Sequence, residues 1–142
     1  MIEDLIRAGR IREHKATRRE IDSILNRARK DINVAGEMMA HDWDWCFAIA
    51  YNAVLQASRA FMFSRGFRSE IKDAHKNTFA FMKEVLGDEH AELIMYFDRM
   101  RVKRNRVLYD IAGIISETEA RNLIGNAKRF VAFIVEELSR CE

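Results

Sequence analysis

Hydrophobic side chains recur three and four residues apart along most of the chain, which is the spacing of one face of an α-helix. This pattern predicts a short helical segment followed by longer helices with brief connections. The predicted segments cover residues 2–10, 17–40, 43–65, 70–86, 88–110 and 116 onward. Because short connections favour antiparallel neighbours, we expect an all-α, up-and-down bundle of four to five helices.

Local signals support several of these boundaries. Asp42 and Asp88 are of a residue type that caps helix N-termini, and Ser116 with Glu119 has the spacing of a capping box. Residues 43–65 are apolar on more than one side. We therefore expect that helix to be the central and most buried one.

Composition narrows the class of protein. A chain of 142 residues without proline and with six glycines argues against an all-β fold. Its length suits one domain over residues 1–142, with residues 1–16 as a more loosely attached segment. The net charge of +2 is too small to indicate nucleic-acid binding by itself.

The two cysteines and the hydropathy pattern indicate the cellular compartment in which the protein is expected. Cys46 and Cys141 are far apart and lie in no metal-binding motif, so neither a disulfide scaffold nor a zinc site is expected. Cys46 lies in an apolar stretch and is expected to be a packed small residue. No signal peptide or membrane span is evident, which favours a reducing cytoplasm without membrane contact.

One charged residue interrupts a hydrophobic stripe in the predicted helix 88–110. The apolar side chains on that face are Leu93, Phe97, Met100, Val107 and Ile111. Arg104 lies in their midst, where a guanidinium is costly unless it is paired or faces a wet cleft. Two interpretations stay open: a binding residue for anions, or a structural arginine that is paired inside or reaches out from the bundle end.

Other polar side chains cluster around Arg104. Asn105 and Tyr109 are neighbours on a helix surface and add donors for a phosphate or carboxylate. Residues 99–106 hold five basic side chains and no acidic one: Arg99, Arg101, Lys103, Arg104 and Arg106. Such a cluster is either a solvated face or a surface for a phosphate backbone.

The four histidines do not have the spacing of a helical metal site, and neither a metal nor another cofactor is expected. His75 could face a cleft, although a surface or cap role is the commoner one for a histidine. Gly-rich phosphate loops and the common hydrolase motifs do not occur in the sequence.

The segment from Arg104 to Asp110 reads Arg-Asn-Arg-Val-Leu-Tyr-Asp and resembles an Arg-Asn-x-x-x-Tyr-Asp form of the signature of HEPN-domain proteins. Residues 48–60 resemble the apolar second helix of that family, and residues 63–67 resemble the turn after it. Residues 73–76 are similar to the start of its third helix, where a histidine is frequent. The resemblance covers most of residues 17–142.

This resemblance implies a helical bundle that forms a homodimer, with the two signature helices meeting at a cleft on the two-fold axis. It implies that Arg104 binds a phosphate and that Asn105 positions it, with Tyr109 as the third signature residue. The remaining candidate binding residues are Arg99, Arg101, Lys103, Arg106, Asp110 and His75. Many family members are metal-independent ribonucleases of toxin–antitoxin or defence systems, and some work beside a nucleotidyltransferase partner.

Position 109 departs from the signature, because active family ribonucleases have histidine there. An unperturbed phenol with a pKa of about 10 is a poor general base at neutral pH. We therefore expect an RNA- or nucleotide-binding module with weak or no catalysis. The alternatives are an active ribonuclease that uses His75 or Tyr109 as base, and a structural protein whose Arg104 is fully paired.

Overall fold

The computed structural model describes residues 1–140, which form an up-and-down helical bundle with a small two-stranded sheet. In chain order the elements are α1 (Ile2–Arg7), β1 (Ile11–Glu13), α2 (Arg18–Met38), α3 (Trp43–Ser64), β2 (Phe67–Ser69), α4 (Ala74–Leu86), α5 (Asp88–Tyr109) and α6 (Glu117–Arg140). The expected all-α bundle is confirmed, with five long helices and the short α1 within the described residues.

Helix α3 forms the centre of the molecule. It packs along α2 and α6 and also contacts α4 and α5. Phe47, Tyr51 and Phe61 on this helix are completely or almost completely buried. The apolar character on several sides of α3 correctly predicted this central position, because a helix surrounded by neighbours needs no polar face.

The predicted helix starts hold for α3 and α6 but not for α5. The Asp42 carboxylate accepts the backbone N–H three residues ahead at 3.1 Å. The Ser116 hydroxyl accepts the Glu119 N–H at 3.1 Å, and the Glu119 carboxylate accepts the Ser116 N–H at 3.0 Å. Asp88 is instead the first residue inside α5, since the chain passes directly from α4 to α5 through Gly87 at φ +77°.

The small sheet was not predicted. β1 and β2 pair antiparallel, with Ile11 opposite Ser69 and Glu13 opposite Phe67. Strands of three residues are too short to show an alternating pattern in the sequence. As a consequence of β2, helix α4 begins at Ala74 and not near residue 70 as expected.

The N-terminal residues pack onto this sheet and onto α4. Leu5 and Ile11 are 8% and 1% exposed and belong to the core. The Arg10 Nε donates to the Asn77 side-chain oxygen of α4 at 2.8 Å. Basic residues of this segment are therefore partly engaged in contacts within the chain.

The environment of one cysteine and the hydropathy of the helices complete the description of the fold. Cys46 is fully buried in α3, as expected of a packed small residue, whereas Cys141 lies outside the described residues. None of the helices within residues 1–140 is long and apolar enough to cross a lipid bilayer.

Candidate phosphate-binding cleft

Helix α5 presents Arg104 toward α3. Seven residues earlier, Phe97 is fully buried, so the stripe does face the core. The Arg104 guanidinium carbon lies 5.4 Å from the centre of the Tyr51 ring, and this cation–π contact stabilises the charge without neutralising it. Ile111 was expected on the same stripe, but α5 ends at Tyr109 and the Ile111 side chain is 47% exposed.

Arg104 is not neutralised inside the protein. One terminal nitrogen donates to the Asn105 side-chain oxygen at 3.2 Å. Its Nε is buried without a hydrogen-bond partner, and no carboxylate of residues 1–140 lies within 4.0 Å of the guanidinium. The interpretation of Arg104 as a fully paired structural arginine is therefore wrong, since the guanidinium has no carboxylate partner among residues 1–140.

A buried tyrosine and a histidine lie beside this arginine. The Tyr51 hydroxyl is 3.1 Å from His75 Nδ1. Burial raises the pKa of Tyr51 above its ordinary value, so the group is a phenol at neutral pH. The phenol and the imidazole nitrogen share this hydrogen bond, and which of them donates depends on the imidazole tautomer.

His75 is held in its neutral form by its surroundings. Burial, and then the positive charges of Arg104, Arg101 and Arg59, lower the pKa of His75 below 6.5. A neutral imidazole at pH 7 can accept a proton or form a hydrogen bond to a ligand.

An open groove of about 570 Å³ runs along this region between α4 and α5. It collects six of the residues that the sequence singled out: His75, Arg101, Arg104, Asn105, Tyr109 and Asp110. Arg101 is held by Asp98 at 2.8 Å, and Tyr109 is 77% exposed at the open end. The groove thus contains an arginine that is free of carboxylates, a second arginine and a neutral histidine.

The other three candidates lie elsewhere. Lys103 pairs with Glu119 of α6. Arg99 lies on the side of α5 that faces Asn126 of α6, and Arg106 is exposed outside the groove lining. The basic run 99–106 is therefore spread around the helix and does not form a single cationic surface, because successive residues point about 100° apart.

A more enclosed cavity of about 350 Å³ adjoins the groove and was missed by the sequence analysis. It shares Arg104 and His75 with the groove and adds Arg59 of α3 and Arg68 of β2. We name it the arginine cavity. Arg59 was recognisable in principle, because it is a cation in an otherwise apolar helix, but Arg68 lies in a strand that the pattern did not reveal.

A row of polar side chains on α3 leads to this cavity. Asn52 donates to the buried Asp31 carboxylate at 2.7 Å, and Gln56 donates to the Asn52 side-chain oxygen at 3.4 Å. Arg59 donates to the Gln56 side-chain oxygen at 2.7 Å. The spacing of i, i+4 and i+7 on an apolar helix was the signal that could have identified this row.

Residues 1–140 contain no group of three or more His, Cys, Asp or Glu side chains that could hold a metal ion. The side chains that line the groove and the adjoining cavity offer arginine donors, amides, carboxylates and an imidazole.

The helical-bundle architecture of this chain is the one that HEPN domains have. Residues 21–138 match the HEPN domain family, and the chain belongs to that family. A similar solved structure is TT1696 from Thermus thermophilus, with 19% sequence identity and a TM-score of 0.64 over 82% of this chain and 96% of that one. At this identity the likeness shows the fold alone. No curated protein matches the chain.

Proposed function

We propose that this HEPN domain binds RNA or a nucleotide through its phosphate groups, in the groove beside Arg104, with weak or no catalysis. The observation that carries the proposal is the Arg104 guanidinium, which is half-buried, faces the groove and has no carboxylate within 4.0 Å among residues 1–140. A phosphate oxygen would complete its hydrogen bonding, and the planar fork suits a phosphate.

The rest of the groove fits the same ligand. Arg101 and Lys76 add positive charge, and Asn105 offers an amide beside Arg104. Asp73 and Asp110 also line the groove and limit how much negative charge it accepts. Tyr109, exposed at the end of α5, is positioned to stack on a base.

The resemblance adds a cellular role to this proposal. The domain would act in a toxin–antitoxin or other defence system, as a homodimer whose two Arg104 side chains share one cleft, with a nucleotidyltransferase as partner. Growth after induced expression of the wild type and of Arg104→Ala tests the toxin role. Growth arrest by the wild type alone would support it, and unimpaired growth in both cases would refute it.

The binding experiment compares wild type, Arg104→Ala and Arg99→Ala with fluorescent single-stranded RNA and with nucleotides across a salt series. Loss of one charged phosphate contact should weaken binding about ten- to a hundredfold. It should also reduce the slope of log affinity against log salt by about one. Arg99→Ala removes the same charge on the other side of α5 and should change affinity little. Equal losses in both variants would contradict the proposed site.

An active ribonuclease is the second candidate, and the neutral His75 imidazole in the same groove favours it. In the tautomer whose Nδ1–H donates to the Tyr51 oxygen, His75 Nε2 would take the proton of a ribose 2′-hydroxyl as that oxygen attacks the adjacent phosphorus. The bond from phosphorus to the 5′-oxygen would break, that oxygen would take a proton from water, and Arg104 would stabilise the charge on the phosphate.

Incubation of pure protein with varied RNAs in the presence of a chelator distinguishes the two candidates. Cleavage that is lost in both Arg104→Ala and His75→Ala but kept in Arg99→Ala would establish the ribonuclease. Binding without cleavage would establish the non-catalytic module. Loss of a general base typically lowers the rate about 10²- to 10⁴-fold, so His75→Ala gives a clear result.

A further inference from the structure

The arginine cavity carries more positive charge than the chain itself compensates. Three arginines line it, Arg59, Arg68 and Arg104, against one carboxylate, Glu70. Glu70 also lies 3.8 Å from Arg12, so it is shared with a further cation. With His75 neutral, the formal charge of the lining is therefore +2.

Arg59 and Arg68 are close enough to affect each other. Both guanidinium groups lie over the same Phe63 ring, at 5.4 and 5.8 Å from its centre. Burial and the charge of Arg68 lower the pKa of Arg59, which Glu20 only partly offsets. An arginine keeps its proton even so, and the two like charges remain side by side.

Two of these arginines have no carboxylate partner. Within residues 1–140 no carboxylate lies within 4.0 Å of the Arg68 or Arg104 guanidinium, and the buried Nε atom of each has no hydrogen-bond partner. Their charge is therefore not neutralised by an ion pair within the described residues. A doubly charged phosphate in the cavity would compensate the positive charge of the lining.

We propose that the arginine cavity is a site for a terminal phosphate monoester, present either on the end of an RNA strand or on a mononucleotide. This inference rests on the proposed function, in which the adjoining groove holds the rest of that ligand. Arg59 and Arg68 bind the monoester, and Arg104 with His75, shared by cavity and groove, contacts the junction to the first sugar.

A strand end fits this cavity better than an internal phosphate. The cavity is more enclosed than the groove, so a chain that enters through the groove would stop there. A monoester carries a charge of about −1.5 to −2 at neutral pH, against −1 for an internal diester. That higher charge matches the +2 lining. The volume of about 350 Å³ has room for a phosphate and part of a sugar.

The test measures fluorescence anisotropy with one RNA sequence in three forms: a 5′-phosphate, a 3′-phosphate and hydroxyls at both ends. AMP, adenosine and inorganic phosphate serve as competitors. Wild type should bind one phosphorylated form at least about tenfold more tightly than the hydroxyl form. Competition by AMP well beyond that by adenosine would assign the site to mononucleotides as well; competition by neither would assign it to RNA ends.

Arg68→Gln and Arg59→Gln should each remove most of this preference while changing affinity for the hydroxyl form less than about threefold. Arg99→Gln, on another side of α5, should retain the preference. Equal wild-type affinity for all three forms would overturn the inference and would not depend on how the variants fold. If Arg104→Ala still weakens binding of the hydroxyl form, the proposed function survives that outcome; if no RNA or nucleotide binds, the proposed function fails as well.

Discussion

Arg104 keeps its charge in a half-buried position because three features of its surroundings compensate for the loss of hydration. The Tyr51 ring lies 5.4 Å from the guanidinium, Asn105 accepts one of its hydrogen bonds, and the groove leaves one side open. None of these contacts neutralises the charge. A cation that is stabilised but not neutralised is what an anion-binding site requires, whereas an internal ion pair would remove that capacity.

The positive charges around His75 should control its protonation. Arg104→Gln should raise the pKa of His75 toward 6.5, because it removes a repelling charge. NMR titration of the imidazole signals measures this shift. A wild-type His75 pKa at or above 6.5 would contradict the geometry.

The same lowered pKa makes stability depend on pH. Below about pH 6.5 the unfolded chain takes up a proton at His75 before the folded protein does. The contribution of His75 is therefore fully present above pH 6.5 and is lost as pH falls toward the folded-state pKa. Urea unfolding of wild type and of His75→Gln between pH 7 and pH 5 should show a shallower dependence in the variant, and identical slopes would argue against a shifted His75.

At the scale of elements, the periodic hydrophobic pattern identified the long helices and missed the short strands. The five long helices were identifiable because three or more turns repeat the apolar spacing. β1 and β2 have three residues each, and Ile11 and Phe67 alone could not define a strand. Because β2 was not predicted, the start of α4 was placed too early. For the same reason Arg68, which the sheet brings to the cavity, was not recognised as a candidate.

The loop between α5 and α6 depends on one side chain from α3. The Asp44 carboxylate accepts the Gly113 N–H at 2.5 Å and the Ile115 N–H at 3.3 Å. Ile115 is buried, so these bonds hold a core residue in place. Asp44→Ala should lower the free energy of unfolding by about 1–2 kcal/mol and speed amide exchange at Gly113.

Chemical denaturation and hydrogen exchange measure the two effects of Asp44→Ala. Glu92→Ala, which removes an exposed carboxylate from α5, is the matched control and should change stability by less than about 0.5 kcal/mol. A similar loss in both variants, or unchanged exchange at Gly113, would show that the loop is held by other contacts.

At the scale of the whole molecule, the site was predictable as far as it lies on one helix. The residues of α5 and its C-terminal end that line the groove, Arg101, Arg104, Asn105, Tyr109 and Asp110, were recognised from their spacing and their resemblance. Arg59 and Arg68 were not, because only packing of β2 and α3 brings them beside α5. The periodic pattern also could not show that Lys103 forms an ion pair with Glu119 of α6.

The mouth of the groove exposes apolar surface that a second copy of the chain would cover. Ile71 is 88% exposed and Ile111 47%, and Ile71 lines the groove. Burying such side chains is favourable by about 25 cal/mol per Å². Pairing of two chains at this mouth would also place two Arg104 side chains at one shared cleft.

Sedimentation equilibrium at micromolar concentration should therefore show a dimer. Ile71→Asp should shift it to monomer, whereas Ile6→Asp, at an exposed apolar position outside the groove lining, should not. A monomeric wild type, or equal dissociation by both variants, would place the interface elsewhere or exclude it, and the cleft would then be complete within one chain.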